Sequence, residues 1–426
     1  MDSTSRPVKK REIFGWAMFD FANSSYTTII VTVAFAVYFT KLVAPGENAD
    51  WLWSIGVALS NLLVLLSAPV IGAVADDSGR KKWFLGTSYL LCVLGTAALY
   101  FVLPGQIVLG LALFVFSNFA YAAGENMAGA FLPEISTSAN IGRISGFGWG
   151  LGYFGGLGSL MLVKPLISDG FTLENLSSLR LVWVVTGVFF LIAGLPTMFL
   201  LKERAERGER RSLAGYVRVG FDRVRNTARA LGHFSELARF LTVFLIYNCG
   251  LMAVIAFAAI YAERSIGFSS ADLIFLFIVL QLSSAAGALL FGWIQDRLGP
   301  KRTIELTLLL WIGVGVGAFL AVNKTQFWPV ALAAGLGIGS LQSASRAVVG
   351  LFSPSSKSGE FFGFWGLAQR AAYVIGPFVF GLVSSVTGSQ RVAILVNSSF
   401  FVLGLLGLRW INVERGRRAA ETWIDD

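Results

Sequence analysis

The sequence predicts an all-α polytopic membrane protein, with twelve transmembrane helices in two pseudo-symmetric six-helix bundles. Three observations lead there. Uncharged runs recur along the whole chain, each near the ~20 residues that a helix needs to cross a bilayer. Apolar residues make up 55% of the 426 and charged residues 14%, where a soluble domain carries about 25% charge. A loop pattern after the second run returns after the eighth, 220 residues later. This composition excludes a soluble enzyme, a disordered chain and a disulfide scaffold. Long unbroken apolar runs argue against a β-barrel, whose strands alternate.

The spans follow in order. Residues 21–40, 51–75 and 83–124 carry no charge, and Pro104-Gly105 divides the last into two spans. Further uncharged runs cover 144–163, 181–201, 240–262, 273–295, 306–323, 325–345 and 392–408. One more span, roughly 360–388, is interrupted only by Arg370. Met1–Phe14 is polar and basic, so no cleavable signal is expected, and the first span serves as its own insertion signal.

Basic residues set the orientation. With the N-terminus inside, 27 of the 34 Lys and Arg fall on the cytoplasmic side and six on the other, with Arg370 inside a span. Both termini are therefore expected in the cytoplasm, in a bacterial inner membrane. The net charge of +9 is then explained by anionic membrane lipid, without nucleic acid. Cys92 and Cys249 fall within spans as reduced packing residues. The single histidine, His233, lies in the central loop, so neither a metal site nor a histidine triad is expected.

The repeat divides the chain. Gly72-x-x-x-Asp76-x-x-Gly79-Arg80-Lys81-Lys82 returns as Gly292-x-x-x-Asp296-x-x-Gly299-x-Lys301-Arg302. Pro133 and Pro354 end the fourth and tenth spans, and Gly146-Phe147-Gly148-Trp149 is echoed by Gly363-Phe364-Trp365-Gly366. The reading is a bundle over 1–201, a basic linker over 202–237 and a second bundle over 238–426. In the linker, Leu213, Val217, Phe221, Val224, Ala228 and Leu231 recur at helical spacing, with Arg218, Arg223, Arg225 and Arg229 between them. This predicts an amphipathic helix on the membrane surface; a solvated connector is the alternative.

These residues carry a resemblance. The repeated loop is similar to the signature of the major facilitator superfamily. Trp16 to Ser24, Ser145 to Gly156, Gly339 to Arg346 and Glu360 to Gly363 resemble its vacuolar-effluxer-like branch. That branch holds autophagy-linked amino-acid effluxers of fungal vacuoles and their bacterial relatives. Asp77 departs from the pattern, occupying a place that is usually basic, whereas Arg297 conforms. The resemblance implies the major facilitator fold, no cofactor, and a central cavity lined by helices 1, 4, 7 and 10. Gly72, Asp76, Gly79, Arg80, Gly292, Asp296 and Arg297 would form the gating motifs. Asp76 and Asp296 can each pair with a nearby cation such as Arg80, or meet the positive N-terminus of a helix in the opposite half. Loop cations that merely hold topology are the plainer reading.

Charge inside the bilayer is costly, about 2.5–3.5 kcal/mol at a helix centre. Asp20, Glu125, Arg346 and Arg370 nevertheless fall inside or near the ends of spans. At 1.5 Å per residue they lie ~9, ~12, ~12 and ~15 Å from the cytoplasmic helix ends. Glu125 and Arg346 occupy equivalent places in the two halves with opposite charge. We expect an acid of the first half to face a base of the second, with substrate or protons competing for the partners; a static ion pair is the alternative. Asn23, Tyr26, Asn126, Asn248, Gln342 and Gln369, with Asn118 and Gln281, are the neutral candidates for holding a zwitterion. Amides that merely join helices contribute ~0.6 kcal/mol on average. Gly150-x-Gly152-x-x-Gly155 lies inside a span with no preceding strand, so it is not a dinucleotide site.

The expected function is secondary active transport of a small organic solute by alternating access. Amino acids come first, export is favoured, and protons are the coupling ion. A lipid or glycan-fragment carrier and a non-transporting receptor or scaffold are the alternatives. No enzymatic pattern is present, and a monomer is expected.

Overall fold

The computed structural model describes residues 8–46, 48–205, 211–229 and 234–423, and these contain helices and no strand. The first six long helices are α1 (Lys10–Val43), α2 (Ala49–Ser78), α3 (Lys81–Phe101), α4 (Ile107–Ala130), α5 (Ile141–Ile167) and α6 (Leu176–Leu200). The second six are α7 (Ser235–Ile266), α8 (Ser270–Leu298), α9 (Pro300–Leu320), α10 (Lys324–Leu351), α11 (Ser358–Thr387) and α12 (Gln390–Leu408). The chain is an integral multi-pass membrane protein. Eleven of the twelve are long and apolar enough to cross a membrane. The exception is α10, diluted by Gln342, Arg346 and three serines. It is buried without interruption from Gly339 to Gly350, so its polar groups are screened by protein rather than lipid.

Two local departures from ideal helix matter for the site. In α1 the β-branched run Thr27–Val33 winds as a π-type turn. Crowded χ1 angles weaken α-helix there, and such turns re-aim the residues that follow. Between α3 and α4 the chain reverses at Pro104-Gly105, with Gly105 at φ +84. The helix of α1 begins at Lys10, so Asp20 lies about 15 Å along it at 1.5 Å per residue rather than the ~9 Å expected.

Helices α1–α6 and α7–α12 form two bundles. The bundles meet through two symmetry-equivalent contacts, α2 on α11 and α5 on α8. Both depend on glycine. A Cβ at Gly72 would overlap the carbonyl of Gly359, and one at Gly146 would overlap the carbonyl of Ala288. Such pairs allow backbones to touch. They lie near the face that carries both termini and the linker, here called the terminal face.

The linker carries a helix, Leu213–Arg229. It packs on α2. Gly220 faces Val70 and Val74, at distances where an added Cβ would stand 2.8 and 2.9 Å from their methyls. Phe221 is left exposed. The helix thus spends one face on protein, and its outward face carries Arg218 and Arg225. Leu231 and His233 lie outside the described residues. A short C-terminal helix, Val413–Glu421, is tied to α7 where Glu236 accepts from the Asn412 N–H at 2.7 Å.

Candidate functional site

Between the bundles lies a cavity of about 420 Å³. Its rim is at the face opposite the termini, where Thr32 is exposed. The middle is apolar, with Val254, Ile255, Phe257, Leu276 and Leu280. The floor, toward the terminal face, is polar and charged.

Seven residues named from sequence lie on its wall: Asp20, Asn23, Glu125, Gln342, Arg346, Gln369 and Arg370. So do Asn118 and Gln281. Three do not. Asn126 follows Glu125 by one residue, about 100° around the helix, and backs onto Gly366 of α11. Tyr26 is turned toward α4, where its hydroxyl and that of Ser117 are 2.8 Å apart. Asn248 is wholly buried within α7 packing. Sequence reasoning missed Tyr121, Trp149, Tyr153 and Tyr373 on the wall. The signal was available: Tyr121 precedes Glu125 by four residues and Tyr373 follows Arg370 by three, so each shares a face with a buried charge.

The floor holds two ion pairs, each joining the bundles. Arg346 of α10 reaches Asp20 of α1, with Nη1 donating to Oδ2 at 2.7 Å. Its Nε donates to Ser145 Oγ at 3.2 Å and its Nη2 to the Ser145 carbonyl at 2.9 Å. The guanidinium also sits 4.8 Å from the Trp16 ring and 5.3 Å from the Trp149 ring. Three of its five N–H groups are thus engaged. Arg370 of α11 makes one such bond. Its Nη2 meets Glu125 Oε2 of α4 at 3.4 Å, and its other neighbours are the rings of Tyr121 and Tyr373 at 5.8 and 5.7 Å. An acid of the first half faces a base of the second at both places. Glu125 pairs with Arg370, while its positional counterpart Arg346 takes Asp20.

Around the floor the wall offers polar atoms without a partner. Among the described residues Asn23 Oδ1, Gln342 Oε1, the Tyr153 hydroxyl and Trp149 Nε1 are buried and make no hydrogen bond within the chain. Leaving such groups unmatched costs about 1–3 kcal/mol each, so they favour a polar occupant.

Below the floor the terminal face is sealed. Asp76 at the end of α2 accepts from the Gly359 and Glu360 N–H groups at 3.0 and 2.9 Å, capping the N-terminus of α11. The cation beside it is Lys81, at 3.2 Å. Lys81 is 1% exposed and also donates to Glu134 Oε1 at 2.8 Å and Ser358 Oγ at 2.6 Å. Arg80, the cation named from sequence, makes no ion pair among the described residues; one position along a helix start moves a side chain about 100°. Gly79 ends α2 at φ 60. In the second repeat Asp296 accepts from the Gly142 N–H at 2.9 Å and from Arg143 Nε at 2.5 Å, capping α5. Gly292 packs against Gly142 and Gly146. Arg297 stacks on Trp293 at 3.5 Å instead of pairing. Asp77 has its own role: Arg211 and Arg223 of the linker approach its carboxylate at 3.3 and 3.5 Å. Where the superfamily pattern has a base, this chain has an acid that holds basic linker residues.

Comparison with known proteins agrees with this architecture. The chain is 23% identical over 408 residues to the uncharacterized MFS-type transporter YxiO of Bacillus subtilis, covering 94% of each. It is 22% identical to autophagy-related protein 22 of Kluyveromyces lactis, covering 89% of this chain and 84% of that one. Among solved structures, the major facilitator superfamily transporter FucP in its outward conformation superposes with a TM-score of 0.73 at 15% identity, covering 94% of this chain and 98% of that one. Residues 52–421 match the family described as vacuole effluxer Atg22 like. The fold is that of the major facilitator superfamily, and the chain belongs to the vacuole effluxer Atg22-like family.

Proposed function

We propose that this transporter carries a small zwitterionic solute, an amino acid first, by alternating access, and that Arg370 and Glu125 are its primary recognition pair. The observation that supports this is the contrast between the two floor pairs. Arg346 is held by three hydrogen bonds, to Asp20 and Ser145, so its pair with Asp20 acts as a strut between bundles. Arg370 and Glu125 hold each other by one 3.4 Å contact. A solute carboxylate can replace Glu125 on Arg370, and its ammonium can take the carboxylate so released. Gln342, Asn23 and Tyr153 offer the unmatched atoms that orient it, and the apolar middle of the cavity accommodates a hydrocarbon side chain.

Protons enter the same scheme. Glu125 released from Arg370 is a carboxylate facing an open cavity and can accept a proton, which links coupling to substrate binding. The basic loops support a cytoplasmic terminal face, with a bacterial inner membrane as the favoured location, and on that reading the state described opens outward. Residues 1–201 and 238–426 then move as the two bodies, with 202–237 between them. The chemistry is transport rather than catalysis, the working unit is a monomer, and export is the favoured direction.

The test is solute flux in liposomes for amino acids, dipeptides and sugars at two pH values. We expect flux for amino acids, lost in Arg370→Ala and uncoupled from pH in Glu125→Gln. Flux confined to sugars, or amino-acid flux unchanged in both variants, overturns the reading.

A further inference from the structure

Away from the central cavity, the terminal face of the second bundle holds another concave site. The turn from α8 to α9, with the segment leaving α12, walls a cavity of about 590 Å³. Lys301, Arg302, Arg409 and Arg415 line it, beside Trp410, and no lining residue is acidic. The four cations are not equivalent. Arg415 Nε donates to Glu236 at 2.7 Å and is neutralised there. Lys301 Nζ donates to the Ile411 carbonyl at 3.0 Å, a neutral acceptor that positions the ammonium and leaves its charge uncompensated. Arg302 and Arg409 are exposed and form no ion pair among the described residues. Three positive charges therefore share one cavity without a counter-charge.

The surroundings are those of a membrane interface. The Trp410 indole is 75% exposed, as for a ring at headgroup level. Leu306 follows Arg302 by four residues and Leu406 precedes Arg409 by three, so each shares a face with its arginine. Both leucines are exposed, and they continue the site from charged cavity to apolar wall.

We propose that this cavity binds the headgroup of an anionic glycerophospholipid from the leaflet at the terminal face. The phosphate sits among Lys301, Arg302 and Arg409, and the acyl chains run along Leu306 and Leu406. A zwitterionic lipid brings its own cation to the phosphate and neutralises less of the cluster. Free phosphate gains nothing from the leucines and the indole.

The experiment is native mass spectrometry of the purified full chain, titrated with dioleoylphosphatidylglycerol, dioleoylphosphatidylcholine or inorganic phosphate. We expect the wild type to retain phosphatidylglycerol in preference to both others, a comparison that needs no variant. At about 1 kcal/mol per basic residue, Arg302→Ala/Arg409→Ala weakens that binding about thirty-fold. Arg218→Ala/Arg225→Ala, which removes the same charge from the linker helix, leaves it unchanged. Equal retention of phosphatidylcholine, equal competition by phosphate, or equal loss in both double variants overturns the proposal in favour of a non-specific basic surface.

Discussion

Asp76 and Asp77 are consecutive residues whose carboxylates serve different partners. Asp76 caps α11 of the opposite bundle through the Gly359 and Glu360 N–H groups, while Asp77 faces Arg211 and Arg223 of the linker. The end of α2 thus ties together both bundles and the segment that connects them.

Asp76→Asn should open the terminal face. The amide keeps one acceptor but loses the charge that meets the helix N-terminus and the fully buried Lys81, and breaking a buried pair costs about 3–5 kcal/mol. Double electron–electron resonance between spin labels at the exposed Trp83 and Arg418 positions would show a longer distance population. An unchanged distribution would mean that the glycine contacts alone hold the face shut.

Asp77→Asn should free the linker while leaving the bundles in place. Its two partners are partly exposed, so the loss is about 1 kcal/mol or less. Trypsin cleavage within the linker should accelerate, with the same Trp83–Arg418 distance as wild type. Cleavage at the wild-type rate would show that Gly220 packing on α2 suffices.

The two floor pairs should differ in thermal stability. Asp20→Asn leaves Arg346, 4% exposed, without its counter-charge. Breaking such a buried pair costs about 3–5 kcal/mol. Glu125→Gln breaks a pair of similar burial but with a longer contact, 3.4 Å to Arg370, and should cost less than Asp20→Asn. Melting of the detergent-solubilised variants by intrinsic tryptophan fluorescence ranks them; a larger drop for Glu125→Gln would reverse the assignment of strut and recognition pair.

Gly72→Val should block closure of the terminal face. Even one methyl there overlaps the Gly359 carbonyl, and backbone cannot yield as a side chain can. The Trp83–Arg418 distance should lengthen and solute flux should stop, while Gly158→Ala, which meets nothing within 4 Å, should behave as wild type.

Much of this was legible in the sequence because membranes impose simple rules. Uncharged runs mark spans, loop cations mark one face, and the few charges left inside must have partners. All four such charges meet across the bundles. Which acid meets which base was not legible. Glu125 and Arg346 match by repeat position, yet helix tilt and rotation bring Glu125 to Arg370. The same limit explains Lys81 in place of Arg80, and Asn126 and Tyr26 turned away from the cavity: a helix distributes neighbours around a circle, and only packing selects the angle. The π-type turn in α1 compounds this, since Thr27, Thr28, Val31 and Thr32 line the cavity wall there without a change in hydropathy.

The polarity of α10 has a consequence for biogenesis. Lys324–Leu351 carries Arg346, Gln342 and three serines within a segment buried from Gly339 to Gly350. A segment of that composition gains little by leaving the translocation channel for lipid unaided. In the finished fold it packs on α8 and α9, which screen its polar groups, and Arg346 completes its partners by reaching Asp20, made more than three hundred residues earlier. The residue that braces the finished cavity therefore finds its counter-charge only once both bundles are in the membrane, so a chain lacking the first half would leave Arg346 buried without one.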